Sequence, residues 1–255
     1  VRVQHTTVRR VFFSRRTLPA LLGILILSLP LMGAAEQRLQ VGYLNFPPYE
    51  YSDHGRPRGP LIDILRKVAD EAGLRLEFRL LKPQQLYRYL RDGTVDVWPG
   101  LTGVPDLENH IYQSRHTLMH LRLSADAVAP TAPVDSLDDL SGRRLIYIEG
   151  YTYGGLGRML RQRARHNTII LASTQQAALQ MLAKGQADYL IDYQRPVETA
   201  LRSMTITGLR ASPLSERNAA FIVSRKIPHA WDLMEKLDRA YSALLQKGVI
   251  KPENQ

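Results

Sequence analysis

The sequence predicts an α/β protein built as two lobes of similar design. Three observations carry this. Strand and helix patterns alternate along most of the chain, as they do in parallel sheets covered by helices. A helix–Gly–strand segment recurs: Leu90-Arg91-Asp92-Gly93-Thr94-Val95-Asp96 parallels Leu182-Ala183-Lys184-Gly185-Gln186-Ala187-Asp188, each with Gln-Gln shortly upstream. A strand and a long helix follow the second half, so the chain can return to the first and cross between lobes twice.

The elements follow in order. Leu39 to Leu44 reads as a strand, and Asn45 to Gly59 as a turn-rich stretch. Leu61, Ile62, Leu65, Val68 and Ala69 recur at helical spacing, with Gly73 where a helix would stop. Leu74, Leu76, Phe78 and Leu80 alternate with Arg75, Glu77 and Arg79, a strand with one buried face. Pro83 to Asp92 reads as a helix opened by Pro and closed by Gly93, and Val95 to Trp98 as a short strand. Ala129-Pro130-Thr131-Ala132-Pro133 is a connector, and Ser136 to Gly142 a short capped turn.

In the second half, Arg144 to Ile148 is a strand, Gly157 to Ala164 a helix and Thr168 to Leu171 a strand. Ser173 or Thr174 caps a helix through Lys184, with Gln176 completing a capping box to Ser173. Ala187 to Ile191 is a further strand. The chain then turns through Ser212-Pro213 into a strand from Ala219 to Val223. A helix opening at Pro228 ends at Gly248, with Trp231, Met234, Leu237, Tyr241 and Leu244 or Leu245 on its apolar face.

Composition sets limits. The 255 residues are 44% hydrophobic and 23% charged, which excludes disorder for most of the chain. There is no cysteine, so disulfides, Cys-based metal sites, thiol nucleophiles and a lipobox anchor are excluded. The formal charge is +10, from 34 basic against 24 acidic residues. Residues 1–35 hold five of the arginines and no acid, and without them the count is 29 against 24. Much of the basicity is therefore a property of the leader, and nucleic acid is not indicated.

That leader runs from a basic stretch into an apolar one, Leu18 to Met32, and then to small residues Gly33, Ala34 and Ala35. The order is that of a signal peptide. The run is short for a membrane span, and Pro19 and Pro30 interrupt it. Export by the general secretory route, cleavage near Ala35 and a periplasmic mature protein are the expectation.

Other constellations have ordinary readings. His116 and His120 are four apart, with His110 nearby, but no His-Glu-x-x-His is present and the region reads as loop or strand, so no metal is expected. Glu149 to Gly157 is Gly-rich after a strand, but it is neither a Walker loop nor Gly-x-Gly-x-x-Gly. There is no Gly-x-Ser-x-Gly elbow. Arg158, Arg161, Arg163 and Arg165 form the solvated face of an amphipathic helix.

Several short motifs in fixed order resemble the bacterial extracellular solute-binding proteins of family 3. Asn45-Phe46-Pro47-Pro48-Tyr49 looks like the family's aromatic–Pro–aromatic turn. Gly59 to Gly73 is similar to its Gly-x-x-x-Asp helix, with Asp63 at the acidic position, and Leu90 to Asp96 to its Leu-x-x-Gly-x-x-Asp. Leu137 to Arg143 looks like the segment entering the second lobe, and Gly185 to Asp192 like the Gly-x-x-Asp-x-x-x-Asp strand. The resemblance implies two α/β lobes joined by a two-strand hinge, a type 2 periplasmic binding protein-like fold. Lobe 1 is then 36–125 plus 211–255, and lobe 2 is 126–210.

Carried onto this chain, the resemblance implies a ligand cleft lined by Phe46, Tyr49, Trp98, Gly100, Thr102, Thr152 and Asp192. Asp192 would meet a ligand ammonium. One departure bears on the ligand: the family's Thr-Pro-Glu-Arg is here Val104-Pro105-Asp106-Leu107, so Leu107 stands where an arginine would fork the α-carboxylate. Arg115 or the backbone of Thr152 to Gly155 are the two alternative carboxylate partners. The expectation is a cofactor-free, monomeric, non-enzymatic receptor. It closes on a small polar ligand, amino-acid-like or cationic, and serves an ABC importer or a sensor protein. The alternatives are a periplasmic cyclohexadienyl dehydratase-like enzyme using Glu149 or Asp192 as acid, and a ligand-free module that binds a protein.

Overall fold

Strand β1 (Arg38–Tyr43) buries Leu39, Val41 and Tyr43 and seeds the first half of the sheet. The structure is a computed structural model that describes residues 1–2, 38–163 and 166–251. The signal-peptide expectation therefore falls outside the described residues, save its first two. Residues 36–255 form one compact unit.

After β1 the expected turn-rich stretch contains a small hairpin, β2 (Tyr51–Asp53) with β3 (Arg56–Arg58), whose polar strands carry no hydrophobic alternation. Gly59 then opens α1 (Pro60–Glu71) at φ 109°. A Cβ at Gly59 would strike the Tyr49 carbonyl, so glycine is required here for two reasons. Helix α1 buries Leu61, Ile62, Leu65, Val68 and Ala69, the spacing read from sequence. β4 (Arg75–Leu80) is an edge strand, which is why its apolar side is only half covered and Leu80 is exposed. α2 (Pro83–Asp92) has the expected limits, with Gly93 left-handed at φ 83°. β5 (Val97–Leu101) starts later and ends later than the sequence suggested.

The middle of the chain supplies β6 (Ile111–Gln113), β7 (Met119–Val128) and, further on, β11 (Leu209–Ser224). Between them lie β8 (Arg144–Ile148), α3 (Leu156–Arg163), β9 (Thr168–Ala172), α4 (Gln175–Ala183), β10 (Tyr189–Tyr193) and α5 (Gln194–Leu201). The cap of α4 is Thr174, whose side chain accepts from the Ala177 N–H, rather than Ser173. The chain closes with α6 (Ala230–Gln246), which packs on α1 and β11. Met234, Leu237, Tyr241 and Leu244 of α6 face inward, but Trp231 lies outside against Tyr112.

The sheet runs β4-β1-β5-β11-β7-β10-β8-β9, with β6 added to β11. β4, β1 and β5 are parallel on one side, and β10, β8 and β9 are parallel on the other. β7 and β11 lie antiparallel between them, paired from Met119↔Ala219 to Val128↔Leu209, with an irregularity between Pro213 and Ser215. They are the two strands that pass from one half to the other. A second apolar cluster around Ile146, Leu179, Leu182, Leu190 and Val197 is separate from the main core, so the second half has a centre of its own. The fold is a two-lobed α/β domain.

Candidate functional site

Parallel strands point their carboxyl ends to one side, where loops collect and ligands bind in open α/β sheets. Here a cavity of about 230 Å3 lies at that place. Leu44, Asn45 and Phe46 follow β1, Leu81 and Lys82 follow β4, and Leu101 ends β5. Glu149 to Gly154 follow β8, and Tyr193 ends β10. Both halves of the sheet thus contribute walls. Tyr87, in the first turns of α2, completes the lining.

The two halves touch directly around this space. Tyr87 Oη and Thr152 Oγ1 are 3.2 Å apart. Phe46 lies with its ring centre 5.1 Å from Tyr151 and 5.0 Å from Tyr193, and 4.9 Å from Tyr49 on its own side. Arg158 reaches Asp106 at 3.3 Å, a pair open to solvent. Arg217, on β11, donates to the carbonyls of both Gly103 and Gly154 at 3.0 and 2.9 Å.

Of the seven residues expected at the site, Phe46 and Thr152 line the cavity. The other five lie elsewhere. Tyr49 and Trp98 are buried in the core of the first half. Trp98 Nε1 donates to Glu50 Oε1 at 2.9 Å, so its polar edge is used inside the protein. Gly100 backs onto the Trp98 ring so closely that a Cβ there would overlap it. Thr102 Oγ1 donates to the Asn218 carbonyl at 2.9 Å, where β5 meets β11. Asp192 is fully buried one layer behind Tyr151: its Oδ2 accepts from Gln175 Nε2 at 3.2 Å, and the same amide is 3.4 Å from Tyr151 Oη.

Burial also governs the charges. It pushes Asp192 up to about 8, against the opposing hydrogen bonds from the Tyr193 N–H and Gln175, with Asp126 adding to the rise. Burial pushes Glu50 up to about 8 and Asp126 up to about 7. Glu50 Oε2 has no hydrogen-bond partner, which fits a carboxyl kept uncharged. The phenols of Tyr87, Tyr151, Tyr153 and Tyr193 are all held above their ordinary value by burial, so they act as neutral rings and hydroxyls.

The cavity's chemistry is therefore aromatic, with a lysine and a glutamate at its border, Lys82 and Glu149. Leu107 does not face it, being fully buried in the turn Pro105–Leu107. Arg115 is engaged with Glu235 at 3.2 Å and Asp238 at 3.3 Å on α6. Tyr87, Lys82, Tyr151 and Tyr193 were not singled out as lining residues from sequence. The signal that finds Lys82, Tyr151 and Tyr193 is position, since each stands at or just past the carboxyl end of a parallel strand, whereas Tyr87 comes from the middle of α2. Among the described residues no group of His, Asp and Glu is arranged to hold a metal, and His116 instead meets Ser242 Oγ at 2.9 Å.

Fold and site together define a two-lobed binding module. The chain belongs to the bacterial extracellular solute-binding proteins, family 3, whose model matches residues 39–251. A probable amino-acid-binding protein of Bacillus subtilis (strain 168), YxeM, is 20% identical over 207 residues, covering 80% of this chain and 77% of that protein. A histidine kinase sensor domain with similarity to periplasmic binding proteins superposes with a TM-score of 0.66 at 23% identity, over 84% of this chain and 92% of that one. The substrate-binding protein of an amino acid ABC transporter gives 0.61 at 18% identity, over 83% and 94%.

Proposed function

We propose that the protein is an exported, monomeric receptor. It holds a small polar ligand, amino-acid-like or cationic, between lobe 1 (36–125 plus 211–255) and lobe 2 (126–210) and closes on it about β7 and β11. The observation that carries this reading is a cavity walled from both halves of the sheet at the strands' carboxyl ends. Residues 1–35 act as the signal peptide in this reading, and the mature chain works in the periplasm. Its partner is an ABC importer or a sensor protein, since an ABC transporter's binding protein and a histidine kinase sensor domain share the fold.

The rings of the lining, rather than its balance of one lysine and one glutamate, favour a ligand with a positive group. With Leu107 buried and Arg115 paired on α6, no guanidinium from those positions forks a carboxylate, and Lys82 offers only a point charge. Tyrosine faces suit a cation or a flat body. Calorimetry against the twenty amino acids, then polyamines, quaternary amines and small peptides, tests this. Micromolar or tighter binding of a polyamine or quaternary amine, with amino acids far weaker, is the expected result. Submicromolar binding of a neutral or acidic standard amino acid would refute the preference for a cation.

A dehydratase-like reading keeps one observation in its favour, the uncharged carboxyl of Asp192 near neutral pH. Against it, that carboxyl lies behind Tyr151 and Gln175, and Glu149 is exposed at the rim. Aromatic product from prephenate or arogenate would restore it.

A further inference from the structure

Phe46 belongs to the first half of the molecule, yet two of its three ring partners, Tyr151 and Tyr193, belong to the second. Its neighbours Asn45 and Pro47 are exposed, whereas Phe46 is half-buried and lines the cavity. The backbone beneath it is fixed. The Phe46 N–H donates to the Glu50 carbonyl at 2.7 Å, and the N–H groups of Tyr49 and Glu50 return to the Phe46 carbonyl at 3.0 and 3.1 Å. Its side chain is thus mounted on a tight turn and projected across the gap.

The surface it meets is preformed. Tyr153 stacks on Tyr193 at 6.0 Å and meets Tyr151 at 5.9 Å. Tyr153 Oη accepts from the Ile148 N–H at 2.8 Å, which fixes that ring independently of Phe46. The three tyrosines touch one another in a cup around Tyr153, and the Phe46 ring forms T-shaped pairs with Tyr151 at 87° and with Tyr193 at 62°. These are the favoured geometries of aromatic pairs, at distances within their attractive range. It stands against two rings of the kind that would receive a flat or cationic group.

We propose that Phe46 is a built-in occupant of the cup formed by Tyr151, Tyr153 and Tyr193, tying the two halves together there, so that a ligand must displace its ring. The displacement clause rests on reading the cavity as the ligand seat. The occupancy does not. An aromatic side chain from the protein itself then sets the threshold a ligand must exceed, and only one with greater affinity for tyrosine faces, through charge or a larger flat body, replaces it.

The test uses the full mature protein and Phe46→Ala. Amide hydrogen exchange across residues 150–155 and 192–194 should quicken at least tenfold in the variant, while β1 and α6 keep their rates. Unchanged exchange in those segments overturns the proposal. Calorimetry with arginine, glutamine, choline and spermidine reads the second half. At least tenfold tighter binding of one probe to Phe46→Ala than to wild type supports displacement. Weaker binding overturns it and makes Phe46 a wall that the ligand leans on. Quickened exchange with no probe bound by either protein supports the occupancy and counts against the ligand-seat reading alone. If the alanine variant fails to fold, Phe46→Leu gives the same directions at smaller size, and Phe46→Tyr should retain wild-type exchange.

Discussion

Leu107 packs wholly inside the protein, in the turn Pro105–Leu107, and is not among the residues that line the cavity. An arginine at this position would bring a guanidinium into a site that now buries an apolar side chain completely. An unpaired buried charge costs about 3–5 kcal/mol. Leu107→Arg should therefore unfold at lower urea, by roughly that amount, and gain no affinity for α-carboxylates. Glutamine or arginine binding that tightens in this variant would show that the turn can reverse itself.

The buried acids make a second statement at this scale. Glu50 and Asp192 stay protonated up to about 8 in the fold and Asp126 up to about 7, from ordinary values of 4.5, 3.8 and 3.8. Between about pH 4 and 8 the native state therefore holds more protons than the unfolded chain, so stability falls as pH rises through that window. The loss is complete above about pH 8. Glu50→Gln keeps an acceptor for Trp98 and removes the titration, so its stability difference between pH 5 and 9 should shrink by roughly 1–3 kcal/mol. Urea titrations of both proteins at the two pH values check this, and equal slopes would mean that Glu50 ionises freely.

At the scale of elements, legibility followed locality. α2 is bounded by Pro83 and Gly93, signals that act through the backbone of those very residues, and its limits could be read directly. β7 and β11 depend on each other: residues 119–128 find their partners at 209–219, far along the chain, and no local pattern announces that pairing. The hairpin β2–β3 escaped because its strands bury almost nothing. The same logic applies to the site. Phe46 and Thr152 follow strands that read clearly. Trp98 is aromatic and near a strand end, but its side of β5 faces the core, and strand alternation decides that only once the register is known.

Gly100 tests this part of the sheet. A methyl group there collides with the Trp98 ring. Gly100→Ala must displace the indole from Glu50, and overpacking of this kind costs about 1–3 kcal/mol. Its urea midpoint should drop, and the buried Trp98 emission should shift to the red. An unshifted spectrum with full stability would mean that β5 yields instead.

For the whole molecule, the polar and ring contacts between the halves are individually modest, the strongest being the Arg217 hydrogen bond to the Gly154 carbonyl at about 1.5–3 kcal/mol. The exposed Arg158–Asp106 pair contributes at most about 1 kcal/mol. The Tyr87–Thr152 hydrogen bond contributes about 1 kcal/mol, and each Phe46 ring contact about 0.5–1.5 kcal/mol. Together they amount to several kcal/mol, while driving a two-state balance from 1:99 to 99:1 takes about 5.5 kcal/mol. These contacts are of a size that a ligand of ordinary affinity can match, which the proposed opening and closing requires. A ligand spanning the cavity, at 100 times its Kd, adds about 2.7 kcal/mol to the native state. At roughly 2–4 °C per kcal/mol for a chain of this size, Tm should rise by roughly 5–10 °C. Removing Tyr87 Oη and the Arg158 charge together should weaken closure without touching either core. The Tyr87→Phe/Arg158→Ala protein should show a larger radius of gyration than wild type in solution scattering. The same ligand should return it to the wild-type value, with a smaller rise in Tm, because part of the binding free energy goes into closing the lobes. A double variant as compact as wild type, with the same Tm gain, would mean that β7 and β11 fix the lobes rigidly and do not act as a hinge.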